Sequence, residues 1–156
     1  MLQAIARRKL PLASTTVAGF IAPNLARCHC QVPCGIFDDP ARVNALKEDA
    51  ATIRKSMVQI NDLATQDGPL ALNQAVRWVN TKEAHAASII NTVSEYMLCQ
   101  RVKKEVFKSE EEYVQALTAH HALLQAAMKS KQVVDPSVCD ALDHAIADVS
   151  KMYLPA

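Results

Sequence analysis

Between residues 43 and 60, Val43, Leu46, Ala50, Ile53, Met57 and Ile60 recur at alternating spacings of three and four. Only an α-helix gathers such positions on one face, and a seam of this kind needs a neighbouring helix to cover it. Half of the 156 residues are hydrophobic, yet 4% are aromatic and three are glycine. That balance suits helices packed through Ala, Leu, Ile, Val and Met rather than a β-sandwich. The length fits one domain with a sizeable core.

Start and stop signals divide the chain after residue 38. Asp38-Asp39-Pro40 reads as a helix start, with an acid at the cap and proline in the first turn. Gln66-Asp67-Gly68-Pro69 is a break. A second helix is predicted from an Asn80–Glu83 capping box towards Phe107, with Ala86, Ile90, Val93 and Met97 inward. Whether Leu70 to Val79 joins it is open. Ser109 to Glu112 form another capping box, and helix three is predicted to turn Val114, Leu117, Leu124 and Met128 inward. Asp135-Pro136 starts helix four, with Val138, Leu142, Ala145, Val149 and Met152 as its seam. The expected architecture is all-α: an antiparallel up-down-up-down four-helix bundle over residues 38–156.

The first 28 residues differ from the rest. They hold Arg7, Arg8, Lys9 and Arg27 with no acid, so the remainder carries 13 basic against 16 acidic residues, a net of −3. A mildly acidic remainder argues against a nucleic-acid partner, since non-specific binding rests on clustered positive charge. No apolar run reaches membrane-spanning length. The arginines, the Ser14-Thr15-Thr16 run and apolar stretches interrupted by Pro11 and Pro23 make residues 1–28 a transit-peptide-like leader. Mitochondrial or plastid import is the expectation, with a secretory signal as the competing reading and a cytoplasmic protein as the alternative.

Between leader and bundle, residues 29–37 read His-Cys-Gln-Val-Pro-Cys-Gly-Ile-Phe. Two thiolates three residues apart, an imidazole before the first, and a proline and glycine that turn the chain sharply form a hook that can wrap one ion. Soft sulfur favours zinc, copper(I) or iron-sulfur chemistry, and strong in-plane nitrogen and sulfur donors suit square-planar nickel(II) or copper(II). A cut between Cys28 and His29 would free the His29 α-amine. With the His29–Cys30 backbone nitrogen and the thiolates of Cys30 and Cys34, it could then close a planar N2S2 set, with the His29 imidazole on the axis. A Cys30–Cys34 disulfide and a zinc site completed elsewhere remain open alternatives.

The pattern His-Cys-x-x-Pro-Cys-Gly-x-Phe resembles the nickel hook of nickel superoxide dismutases, in which the last position is tyrosine. The likeness continues through the Asp-Pro just downstream, Ser94-Glu95-Tyr96, and Asp135-Pro136. The resemblance implies a hook exposed by a processing protease and a four-helix bundle. It implies a homohexamer with one nickel ion per subunit, cycling between Ni2+ and Ni3+ as superoxide is converted to oxygen and hydrogen peroxide. Thiolate and amidate donors bring the nickel couple within reach by stabilising the higher oxidation state. Catalytic roles fall on His29, Cys30, Cys34 and Tyr96, of which the first three are metal ligands. The alternatives are a non-enzymatic nickel- or zinc-binding helical protein, or a structural bundle with a Cys30–Cys34 disulfide.

The chain departs from the family pattern at Phe37, which lacks a hydroxyl to order water or an anion beside the metal. Weakened rather than abolished activity is the expectation, with Tyr96 covering part of the loss. Leu46 stands where the family has a glutamate that steadies the imidazole, with Glu48 nearby, and Lys82 offers a charge in place of the family's arginine. His120-His121, His85 and His144 read as helix-surface residues, and Cys99 and Cys139 as buried, inert thiols.

Overall fold

The computed structural model describes residues 37–154. Among them the chain forms helices α1 (Asp39–Ala64), α2 (Pro69–Asn91), α3 (Glu110–Gln132) and α4 (Val138–Ser150), with no strand. A π-helical segment, Thr92–Arg101, continues α2, and a 3-10 turn, Lys104–Val106, precedes α3. Packing runs α1 on α2, α2 on α3, α3 on α4 and α4 back on α1. Short connections between successive neighbours make this the up-down-up-down four-helix bundle that the periodicity predicts.

Helix α1 begins where expected. The Asp38 carboxylate accepts the Ala41 N–H at 3.1 Å, and Pro40 occupies the first turn. Val43, Leu46, Ala50, Ile53 and Met57 are all buried, and Ile60 is half-buried. Arg54 joins α1 to the start of α4, donating to Asp140 at 2.8 Å, Asp143 at 2.7 Å and the Pro136 carbonyl at 3.1 Å. Gly68 takes φ 102°, a left-handed conformation that favours glycine, and Pro69 follows as the first residue of α2.

Helix α2 therefore starts eleven residues before the predicted Asn80–Glu83 box. Leu70 to Val79 belong to it, and Asn80 is an exposed mid-helix residue. The Gly-Pro start makes a second cap unnecessary, and Glu83 pairs instead with Lys82 and Lys131. At the head of α3, Ser109 accepts the Glu112 N–H at 3.2 Å as predicted. The return bond from Glu112 goes to the Lys108 N–H at 2.9 Å, one residue earlier than a capping box requires.

The predicted phase of α3 holds at Leu124, which is half-buried against the core, and fails at its other three positions. Val114, Leu117 and Met128 are 49%, 37% and 45% exposed, while Ala116, His120, Leu123 and Ala127 face the core. Two stripes compete on this helix, and the one carrying Ala116, His120, Leu123 and Ala127 faces inward. His120 is tolerated there because both ring nitrogens are used. Nδ1–H donates to the Ala116 carbonyl at 2.7 Å, and Nε2 accepts from the Tyr153 hydroxyl at 2.8 Å. His120 is thus a core residue and not a surface one. His121 is exposed, as is His144, whose Nδ1 lies 2.7 Å from the Asp140 carbonyl. His85 is half-exposed and meets Asp49 at 2.6 Å. Cys139 is buried against Met57, Sγ to Sδ 3.8 Å, whereas Cys99 is exposed. Met152 lies beyond the end of α4 and is also exposed.

Burial holds His120 below the ordinary histidine range, against the opposing pull of the Ala116 carbonyl. An unfolded chain takes up that proton below about pH 6.5 while the folded chain resists it, so stability falls as pH drops through this window. The slope is at most about 1.4 kcal/mol per pH unit. Glu83, held low by its hydrogen bond to Lys82, begins to lose its contribution only below about pH 4.5. In urea unfolding followed between pH 7 and 5, His120→Gln is expected to flatten the slope and to cost about 1–3 kcal/mol at pH 7. An unchanged slope would move the titrating group elsewhere.

Candidate nickel centre

His29, Cys30 and Cys34 lie outside the described residues. Phe37, the last residue of the hook, lies inside them, and its surroundings define the end of the bundle that the hook reaches. Cys34 is three residues earlier, so its Cα lies within about 11 Å of that of Phe37 even when the chain is fully extended.

Phe37 packs edge-on against Tyr96, with centroids 5.8 Å apart at 80°. The Arg101 guanidinium carbon lies 4.4 Å from the centre of the Phe37 ring. Asp39, in the first turn of α1, joins these groups. Its Oδ1 accepts from the Tyr96 hydroxyl at 2.6 Å and from Arg101 Nε at 3.1 Å, and its Oδ2 accepts from Arg101 Nη2 at 2.5 Å. The N-terminal end of a helix favours a carboxylate, which suits Asp39 to this place. Arg42 covers the other ring, its guanidinium carbon 5.4 Å from the centre of Tyr96.

The helix type makes this cluster possible. At about 100° per residue, an α-helix would set Tyr96 and Arg101, five apart, about 140° around its axis. The segment Thr92–Arg101 is π-helical, a wider coil with hydrogen bonds spanning five residues, and it brings side chains five apart closer to one face than an α-helix does. The Val102 N–H closes the segment on the Met97 carbonyl at 2.9 Å. Tyr96 and Arg101 therefore both reach Asp39. Behind Arg101, a cavity of about 290 Å³ is lined by Val102, Val106, Phe107, Met152 and Tyr153.

The electrostatics follow from the contacts. Asp39 raises the Arg101 pKa through its hydrogen bonds, overcoming the lowering by burial. Burial raises the Tyr153 phenol above its usual range, so its hydroxyl stays protonated and donates to His120. The Tyr96 hydroxyl donates its hydrogen bond to Asp39.

A family model for nickel-containing superoxide dismutase matches residues 24–156 of this chain, which include the whole hook. The chain belongs to the nickel-containing superoxide dismutase family. It is an oxidoreductase whose reaction is the dismutation of superoxide, and it is nickel-dependent. No curated protein and no solved structure matches the chain.

Nickel in this dismutase needs donors that the bundle does not offer. Among the described residues no group of three or more His, Cys, Asp or Glu side chains is placed to hold a metal ion. The donor set of residues 29–34 fits nickel by its chemistry, two thiolates with nitrogen donors beside them. No helix among the described residues is long and apolar enough to cross a membrane.

Of the expected stand-ins for the dismutase family's groups, Lys82 is committed elsewhere in the bundle. Leu46 is a core residue at 1% exposure, and Glu48 is exposed on the same helix. Lys82 is buried, and its Nζ is used by Glu83 Oε1 at 2.8 Å and by the Ser130 and Lys131 carbonyls at 3.1 and 2.5 Å. It holds the C-terminal turn of α3, fourteen residues before Tyr96 and about 20 Å away along the helix. Asp39 and Arg101 were not singled out in the sequence. An Asp-Pro helix start masks Asp39 as a cap residue, and a 3.6-residue repeat turns Arg101 away from Tyr96.

Proposed function

We propose that this dismutase works from a mature N-terminus at His29, made by a processing protease that removes residues 1–28. The His29 α-amine and imidazole, the Cys30 backbone nitrogen and the thiolates of Cys30 and Cys34 would then hold the nickel ion. When bound there, one nickel ion per subunit supplies the one-electron couple between Ni2+ and Ni3+ that superoxide dismutation needs. The reading rests above all on the family match, whose bounds, residues 24–156, enclose His29 to Phe37. The bundle's part is to hold the hook's end. Phe37 shields one side from bulk water, and Tyr96 stands next to it with its proton on Asp39.

Assembly into a homohexamer is part of the same reading. Val114, Leu117 and Met128 form an exposed apolar stripe on α3, which further copies of the chain would cover. The acid-free, arginine-containing first 28 residues support import into a mitochondrion or plastid.

Intact-mass analysis of the protein purified from its own cells, with nickel quantified in the same sample, tests this reading. A chain beginning at His29 with about one nickel per subunit is expected. A working protein that keeps residues 1–28, or whose Cys30 and Cys34 are joined, would return the hook to the disulfide or zinc alternatives.

A further inference from the structure

We propose that Arg101 is a positioning residue for the nickel hook: held by the Asp39 carboxylate and laid on the face of Phe37, it sets where the hook ends and so how its thiolates meet the metal. This rests on reading residues 29–37 as that hook. Three observations carry it.

The first is the grip on Arg101 itself. Asp39 takes Nε and Nη2 on its two oxygens, a fork that fixes the plane of the guanidinium as well as its position. The Arg101 side chain is 34% exposed and that of Asp39 14%, so the pair is partly shielded from water. The second is the stack on Phe37 at 4.4 Å from the ring centre. A cation on an aromatic face needs the ring and not a hydroxyl. Phenylalanine therefore keeps this contact at a position where the family pattern has tyrosine. The third is the π-helix, whose wider turn brings Tyr96 and Arg101 close enough around the axis to share one carboxylate.

Arg101 and Asp39 neutralise one another, so the pair adds little net charge to the approach of an anion. Its effect is on orientation. Phe37 is held from above by Arg101 and at its edge by Tyr96, and Asp39, two residues on, is held by both.

The test compares nickel-loaded wild-type protein with Arg101→Gln, Arg101→Lys, Phe37→Leu and the double variant Arg101→Gln/Phe37→Leu. The readouts are nickel release to excess chelator, the electron paramagnetic resonance spectrum of the oxidised metal, and the melting temperature of the bundle. Arg101→Gln is expected to release nickel about tenfold faster and to shift the spectrum, since partners that orient metal ligands are worth about 10–100-fold in affinity. Arg101→Lys is expected to behave the same way, because an ammonium keeps the charge but has neither the fork nor the flat face. Phe37→Leu leaves the Arg101–Asp39 pair intact and is expected to match Arg101→Gln. The double variant is expected to be no worse than either single one, as two residues acting through one contact are not additive.

Wild-type release and spectrum in Arg101→Gln would overturn the proposal. So would rescue by lysine, which would assign the effect to charge, and an additive loss in the double variant. Wild-type protein that holds no nickel on the hook would overturn the hook reading itself, a result distinct from normal nickel binding that ignores Arg101.

Discussion

Cys30→Ser and Cys34→Ser, each in the chain beginning at His29, are expected to lose nickel and to lower superoxide dismutation by about a thousandfold, the equivalent of about 4 kcal/mol in the barrier. A serine hydroxyl remains protonated at neutral pH and is a hard, weak donor, so each substitution removes one of two anionic sulfurs. In the proposed site those sulfurs would stabilise the higher oxidation state, and a single one would leave the couple out of reach of superoxide. The bundle should be indifferent. The core described for α1 to α4 is built from side chains between Phe37 and Leu154. Metal analysis, rapid-mixing decay of superoxide and thermal unfolding on the same samples separate the two effects. A serine variant with full nickel and wild-type decay would remove that thiolate from the ligand set.

Retention of Cys28 as a single extra residue is expected to lower activity by about a hundredfold or more, although every side-chain donor is still present. Extension turns the His29 α-amine into a peptide nitrogen, and with it the neutral amine is lost from the proposed plane. Paired preparations starting at Cys28 and at His29, compared for nickel content and turnover, check this. Equal turnover would show that the amine is not a ligand.

How far the fold could be read from sequence depended on how many solutions each pattern allowed. On α1 one apolar stripe stands against a polar remainder, and Val43 to Met57 are buried as the spacing predicts. On α3 the stripe of Val114, Leu117 and Met128 looks the better core by hydrophobicity, but Ala116, Leu123 and Ala127 pack inward. Packing against the neighbouring helices, and a Tyr153 hydroxyl placed to satisfy His120, decide that choice. Neither can be seen in the sequence of α3 alone. The same reason explains Lys82, whose free charge in the sequence is taken up by carbonyl groups of α3 that lie far along the chain.

By itself the sequence determined the all-α class, the start of α1 at Asp38-Asp39-Pro40, the break at Gly68-Pro69 and the donor chemistry of His29, Cys30 and Cys34. These are local properties: side-chain type, spacing within one helix, and the conformations that glycine and proline permit. Only the tertiary structure decided what meets Phe37. A π-helix brings Arg101 round towards the Tyr96 face, and α1 brings Asp39 from more than fifty residues away to bind both. Such a contact depends on how two helices pack and on one departure from the 3.6-residue repeat, and no spacing along the chain encodes either.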